Sequence, residues 1–340
     1  MTKALRLSVA VALYNEESAL PELLRRTRAV LETIGAGPHE MVMVDDGSSD
    51  RTLEILEAAA ARDPRIIVVE LSRNFGHQAA LTAALDYCSG DAVVVMDADL
   101  QDVPEVIPRF VEQFQQGYDV VYAMRARRKE AWWLKLAYFL FYRLVAALSE
   151  LNLPLDAGDF ALMSRRVVEE LRRLPEHHRY LRGLRRWVGF RQIGIPVDRP
   201  ERHFGESKYS FGKLLKLASD GIFAFSIVPL RAATLLGMLA MIFSGGFAIY
   251  SIYAKFFLHN SPKGFTALVL LITFLSGILL FFLGIIGEYV GRLYEEVKAR
   301  PLYVVGKTIG WPPHRSPGER KQESLTTVSG APNGGEAGVP

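Results

Sequence analysis

Along the first 125 residues, short apolar runs alternate with longer stretches whose apolar residues recur at helical spacing. The runs at 7–13, 41–44, 66–71, 92–96 and 120–123 have the length of strands. The first four break off in polar clusters: Tyr14-Asn15-Glu16, Asp45-Asp46-Gly47-Ser48-Ser49-Asp50, Ser72-Arg73-Asn74-Phe75-Gly76 and Asp97-Ala98-Asp99. Between them the spacing predicts helices over 19–34 (apolar at Leu20, Leu23, Leu24 and Leu31), over 51–61 with Asp50 as cap, and over 77–87. Strands that are apolar throughout and alternate with helices predict an α/β fold, a mostly parallel, doubly wound (Rossmann-like) sheet with helices on both faces. Ligands of such sheets bind at the carboxyl ends of the strands, where these polar clusters fall.

The pattern changes in the last third. Residues 232–254 and 265–287 are two stretches of 23 residues without Asp, Glu, Lys or Arg. As helices each reaches roughly 34 Å, enough for a bilayer core of ~30 Å. The link at 255–264 holds Asn260, Pro262 and Gly264, so a two-helix transmembrane hairpin is expected over 229–294, in place of a buried helical pair of a soluble protein. Lys213, Lys216, Arg231, Arg292, Lys298, Arg300 and Lys307 flank the hairpin, against Lys255 and Lys263 in its link. That bias puts both termini in the cytoplasm, and the N-terminus does not read as a signal peptide. The expected organisation is a cytosolic domain over 1–210, an amphipathic segment over 211–228, the hairpin, and a cytosolic tail over 295–340, disordered from 316. The apolar, aromatic stretch 132–149, with Trp132, Trp133, Tyr138 and Phe139, suits a helix lying in the membrane interface, or an ordinary core helix. Glu288 is expected to pair with Arg292 one turn on.

The 340 residues fit two structural parts, and 50% hydrophobic with 23% charged residues excludes a wholly disordered chain. A net charge of +3 gives no footing for nucleic acid. Cys88 is the lone cysteine, which excludes an intramolecular disulfide and a multi-cysteine metal site. Neither G-x-G-x-x-G nor G-x-x-x-x-G-K-[ST] occurs, so a dinucleotide fingerprint and a P-loop are unsupported. What the strand ends offer is carboxylates. Asp97 and Asp99 after the fourth run, with Gln101 and Asp102 beyond, are hard oxygen donors suited to Mg²⁺ or Mn²⁺ beside substrate phosphates, or else a solvated turn. His77, at a helix start, and His177-His178 lack a second ligand at a convincing spacing and read as surface or capping residues.

The ordered set of motifs resembles a family. Tyr14-Asn15-Glu16-Glu17, the cluster 44–50, Arg73-Asn74-Phe75-Gly76 and Asp97-Ala98-Asp99-Leu100-Gln101-Asp102 resemble the inverting nucleotide-sugar transferases of glycosyltransferase family 2. With Gly158-Asp159-Phe160, Arg182-Gly183, Trp187-Val188-Gly189-Phe190, Gly205-Glu206-Ser207-Lys208-Tyr209 and, after the apolar stretches, Gly287-Glu288-Tyr289 and Arg300-Pro301, the chain resembles the polyprenyl-phosphate glycosyltransferases, relatives of dolichyl-phosphate mannose synthase. The nearest type is the undecaprenyl-phosphate glucosyltransferase with a two-span anchor. The resemblance covers roughly 5–310 and implies a GT-A fold. Ala12 stands where the family usually has Pro, and Ala161 where it tends to have Arg.

By this resemblance Tyr14, Glu16, Asp46, Asp97 and Ala98 line the nucleotide-sugar pocket. Physics agrees: an aromatic face stacks on a base, and carboxylates accept from base N–H groups or ribose hydroxyls. Asp46 could instead close an Asx turn before Gly47. Asp97, Asp99 and Gln101 are the implied metal ligands, and Asp99 and Asp159 the implied catalytic residues. Asp159 matches the acidic residue proposed as general base. The implied acceptor, however, is a phosphate monoester with a second pKa near 6, already largely ionised at neutral pH, so Asp159 could orient substrate instead, or be a turn residue. Arg125, Arg202 and Lys208 are the implied substrate-phosphate ligands; the run Arg127, Arg128, Lys129 reads as solvated. The implied activity is inverting transfer of a hexose, with UDP-glucose favoured as donor over GDP-mannose, to a polyprenyl phosphate at the cytoplasmic face of a bacterial inner membrane, by a homo-oligomer. A processive polysaccharide synthase is a rival, although Gly183 stands where Gln-x-x-Arg-Trp needs Gln. A membrane-tethered binding protein is another, against which the Asp97/Asp99/Gln101 set argues.

Overall fold

The structure, a computed structural model, describes residues 5–35, 37–125, 157–177, 179–197, 228–257 and 264–310. The expected interfacial stretches 132–149 and 211–227, Arg202, Lys208, most of the hairpin link and the tail from 311 lie outside the described residues.

Eight strands form one sheet: β1 (Leu7–Leu13), β2 (Glu40–Asp45), β3 (Ile66–Leu71), β4 (Ala92–Asp97), β5 (Val120–Arg125), β6 (Ala157–Ser164), β7 (Gln192–Val197) and β8 (Val305–Ile309), in the order β7-β5-β6-β4-β1-β2-β3-β8. The centre, β3-β2-β1-β4, is parallel and in near-even register, with Leu13 beside Asp45 and Ala12 beside Asp97. The five expected runs are all strands, and the sheet is mostly parallel.

The helices are α1 (Leu20–Thr33), α2 (Thr52–Arg62), α3 (His77–Tyr87), α4 (Ile107–Gln115), α5 (Arg165–Arg173), α6 (Leu181–Trp187), α7 (Val228–Phe257) and α8 (Phe265–Lys298). One core layer joins Leu7, Val9 and Val11 of β1 to Leu23 of α1, Leu56 of α2 and Phe110 of α4. The opposite layer joins Ala10 and Ala12 to Ala80 and Ala84 of α3, Val168 of α5 and Leu184 of α6. Both faces of the sheet are covered, so β1 is buried at every residue and reads as a continuous apolar run. Alanines on the face of α3 let that helix approach the sheet closely.

The strand order does not follow the chain order. β6 lies between β4 and β5, antiparallel to both, with Ala161 paired to Val95 and to Tyr122. β8, from beyond the apolar helices, pairs antiparallel with β3 at the sheet edge. Further ties hold that return. Ser72 N donates to Val304 O at 2.9 Å, Tyr303 Oη donates to Asp86 at 2.7 Å, and His177 N donates to Glu296 at the end of α8 at 2.7 Å.

The apolar stretches are helices of 30 and 34 residues, longer than the 23 expected of each, because charged flanks continue the helical path. They touch each other and expose large apolar side chains, among them Phe243, Ile249, Phe274 and Phe281. Among the described residues one stretch, Phe274–Lys298, is long and apolar enough to cross a membrane by length and composition. Glu288 accepts from Arg292 Nε at 2.9 Å, as the spacing predicted.

Candidate active site

The loops after β1, β2, β3 and β4 meet at one rim because their strands are parallel and in register. The first two are laced together. Asn15 N donates to Ser48 Oγ (3.0 Å), Glu16 N to Thr52 Oγ1 (2.9 Å), Glu17 N to Asp50 (3.1 Å) and Ser49 N to Asn15 Oδ1 (2.8 Å). Asp50 also accepts from Thr52 N at 3.0 Å, but the N-cap position is Arg51, one residue later than expected. Tyr14 is left 48% exposed at this edge, and Glu16 half-buried.

Asp46 does not close a turn on its own loop. Its Oδ1 accepts from Phe75 N (2.7 Å) and its Oδ2 from Gly76 N (2.9 Å), so it clamps the loop after β3 to the loop after β2. The local bond in this loop belongs to Asp45, which accepts from Ser48 N, three residues on, at 3.1 Å. Burial raises the Asp46 carboxyl above its ordinary value, and the two amides only partly offset that. Gly47 makes the close approach possible. Its φ is +68°, and a Cβ there would lie 2.7 Å from the Arg73 carbonyl carbon and Asn74 N. Arg73 in turn stacks its guanidinium 4.1 Å over the Phe75 ring.

After β4 the side chains alternate: Asp97 and Asp99 are half-buried at the rim, while Ala98 and Leu100 sink into the core. The turn is held by Asp102, which accepts from Asp97 N (3.0 Å), and by Asp99 Oδ1, which accepts from Gln101 N (3.1 Å). Leu100 adopts φ +59°, a conformation rare for a leucine. Among the described residues no group of three or more His, Cys, Asp or Glu gathers into a metal cage. The donors are two carboxylates and an amide at an open edge, which fits a hard cation that takes its remaining ligands from a substrate.

Asp159 stands in β6, two residues before the pairing of Ala161 with Val95, which carries it to the same rim. It is not a turn residue. Both its oxygens are gripped by Arg182 of α6, from Nε at 3.3 Å and Nη2 at 2.9 Å. Arg185, one turn on and buried, donates to Gly158 O at 3.3 Å and lies 5.0 Å over the Tyr122 ring. Burial works to raise the Asp159 carboxyl, but the charge and hydrogen bonds of Arg182, then Arg185 and His77, hold it below the usual carboxylate range. Burial pulls Arg185 down to about 10, against the opposing pull of Asp159.

Two residues with no sequence-derived role stand here. Arg182 is one; only its motif drew attention, and no local pattern announces a partner 23 residues away. His77 is the other. It opens α3 after Gly76 (φ +96°), and its Nε2 lies 3.4 Å from Asp97 Oδ1, so it faces the site and is not a mere surface or capping residue. Arg125 ends β5 beside Val197 of β7, and both strands run parallel to β4, so the backbone brings Arg125 to the rim; Arg202 and Lys208 lie outside the described residues.

A sheet of this order with acidic donors at its rim is of the GT-A type, and residues 8–172 match the model of glycosyl transferase family 2. The chain belongs to this family. Over nearly its full length it is 43% identical to the uncharacterized glycosyltransferase YkcC of Bacillus subtilis, across 91% of this chain and 96% of that one. It is 38% identical to the SfII prophage-derived bactoprenol glucosyl transferase of Shigella flexneri, across 89% and 98%. Among solved structures, the mannosyltransferase PcManGT from Pyrobaculum calidifontis, in complex with GDP-Man and Mn²⁺, is similar at 19% identity and a TM-score of 0.42, across 88% of this chain and 86% of that one.

Proposed function

We propose that the protein transfers a hexose, glucose from UDP-glucose in the favoured reading, onto a polyprenyl phosphate at the cytoplasmic face of the membrane. The observation that carries the reading is the full-length match to a bactoprenol glucosyl transferase, which spans the acidic rim and both apolar helices. In this reading a phosphate oxygen of the acceptor attacks the anomeric carbon, the bond to the nucleoside diphosphate breaks, and configuration inverts. The acceptor arrives largely ionised, so no side chain must take a proton from it. Tyr14 and Glu16 line the nucleotide side, while Asp46 acts by holding the loops that shape it. Asp97, Asp99 and Gln101 would hold Mg²⁺ or Mn²⁺, which when bound neutralises charge on the leaving diphosphate. Arg125 at the end of β5, with Arg202 and Lys208 after β7, are proposed for the acceptor phosphate, since arginine's fork matches phosphate oxygens.

Two membrane crossings are part of the proposal. What supports them is the return of β8 to the sheet. β7 and β8 lie in one sheet, so the chain between Val197 and Val305 crosses a membrane an even number of times. If α8 spans, α7 is its return partner, and the exposed apolar side chains of both are covered by lipid. A single cysteine introduced at Asn260 is expected to react with a membrane-impermeant maleimide from the periplasmic side only.

The test of the activity is incubation of the full-length protein in detergent with undecaprenyl phosphate, Mg²⁺ or Mn²⁺ and a panel of nucleotide sugars, with the lipid product weighed by mass spectrometry. One hexose per lipid phosphate is expected. A polymer, or donor binding without any lipid product, sinks the reading.

A further inference from the structure

The pairing of Asp159 with Arg182 is uneven in a way that bears on which of the two meets the substrate. The Asp159 side chain is 15% exposed and the Arg182 side chain 30%. Both carboxylate oxygens are taken up by Nε and Nη2 of Arg182. Nη1 of Arg182 makes no hydrogen bond among the described residues, and the fork is further steadied by the Tyr180 ring, 5.7 Å from the guanidinium carbon. The pair is not neutral in its setting. Arg185, buried on the same helix face one turn on, adds a second guanidinium near one carboxylate, and His77 stands close enough to be felt there. A rim that must take up anionic oxygens next to Asp97 and Asp99 gains from such a surplus of positive charge. An exposed second carboxylate acting alone would oppose it.

We propose that Arg182, and not Asp159, is the member of this pair that contacts substrate. Asp159 is a positioning residue that grips one edge of the guanidinium, through Nε and Nη2, and Nη1 on the far side donates to a phosphate oxygen. A planar fork held on one side by a carboxylate and open on the other is pre-organised for an oxyanion, with little rotamer entropy left to lose on binding. The phosphate belongs either to the donor's diphosphate or to the lipid acceptor. The inference rests on the proposed transfer reaction for its kinetics but not for its binding measurements.

The test is a double-mutant cycle of Asp159→Asn and Arg182→Gln in the full-length protein, with Arg182→Lys as the conservative variant. KM for nucleotide sugar and for undecaprenyl phosphate is read separately from kcat, and calorimetry gives Kd for UDP and for undecaprenyl phosphate in nanodiscs. Arg182→Gln is expected to raise KM and Kd for one phosphate substrate about tenfold or more, with Arg182→Lys recovering part of it. The substrate affected identifies the source: UDP and its sugar for the diphosphate, undecaprenyl phosphate for the acceptor. Asp159→Asn is expected to weaken the same substrate, and to add little once Arg182 is Gln. The double variant removes both charges, so it stays measurable if Arg182→Gln alone misfolds around an unpaired carboxylate. Two results overturn the inference: affinities for both phosphates unchanged in Arg182→Gln, or in the double variant where the single one misfolds; or a fall in kcat of about a hundredfold from Asp159→Asn in both backgrounds, as a general base would give. If the unaltered protein makes no lipid product but the Kd pattern holds, the reaction reading fails and this assignment stands.

Discussion

The sheet has two halves built from different kinds of sequence. β3, β2, β1 and β4 come from residues 7–97; they are apolar along almost every position, parallel, and end in acidic loops. β6, β5, β7 and β8 come from 120–309, bring in the antiparallel pairings, and include both edges. The first half supplies the carboxylates of Asp97 and Asp99. The second supplies the cations, Arg182 with Arg185 and the backbone position of Arg125, and ties the helix α8 back to the sheet. The proposed donor site is thus written locally, strand by strand, whereas its charge balance is assembled from segments far apart in the chain.

The sharpest break lies where the halves join. Phe160 of β6 packs on Phe110 of α4 with ring centroids 4.7 Å apart, and both are fully buried. Phe160→Ala is expected to cost about 3–5 kcal/mol, read as a lowered midpoint in thermal or denaturant unfolding. An unfolding midpoint that does not move would mean that β6 is not part of the cooperative core.

The first half is tested at its chemistry. Asp99→Asn is expected to lower transfer about 10²–10³-fold while leaving the melting temperature nearly unchanged, because Asp99 is half-buried at an open edge, outside the apolar core, and Asn keeps an oxygen for the Gln101 amide. Equal losses of activity and stability would make it a structural turn residue instead. Gly47→Ala tests the contact between the loops after β2 and β3. A positive φ and a Cβ 2.7 Å from backbone predict a loss of about 1–3 kcal/mol together with weaker donor binding.

Two smaller effects separate the halves further. Burial works to raise the carboxyl of Glu40, at the start of β2, but hydrogen bonds from Ser8 and Ser89 and the charge of Arg6 outweigh it and hold it low. A group depressed in the folded state contributes stability above its unfolded pKa of about 4.3, and loses it as pH falls through the folded value. Glu40→Gln is therefore expected to be about 1–2 kcal/mol less stable than the unaltered protein at pH 7 and to close that gap in acid, as followed by urea unfolding between pH 7 and pH 3. Tyr303→Phe removes the bond to Asp86 beside β8 and is expected to cost about 1 kcal/mol, with faster hydrogen exchange confined to β8 and the edge of β3.

Much of the first half was legible because its signal is local. The runs 7–13 and 66–71 and the helix 77–87 coincide with β1, β3 and α3, and the others differ by a residue or two. β6 was not legible: it opens with Ala157-Gly158-Asp159, residue types that strands disfavour, and it is a strand because β4 and β5 flank it on both sides. β8 is an exposed edge of five residues, and its partner lies more than 230 positions away. Asp46 read as a ligand or a turn closer, since nothing near it in sequence shows that its oxygens reach Phe75 and Gly76. His77 read as a cap, since its neighbour Asp97 arrives from the next strand.

By itself the sequence determined the apolar strands, the helices between them, the acidic loops at their ends and the two long apolar helices, because each depends on periodicity and side-chain type within a dozen residues. Only the tertiary structure decided that a late strand would insert antiparallel beside β4, that Arg182 would meet Asp159, and that the chain would return from its apolar helices to the sheet edge. Those outcomes depend on hydrogen bonds and charge pairs between distant segments, whose pairing exists only once the chain has closed on itself.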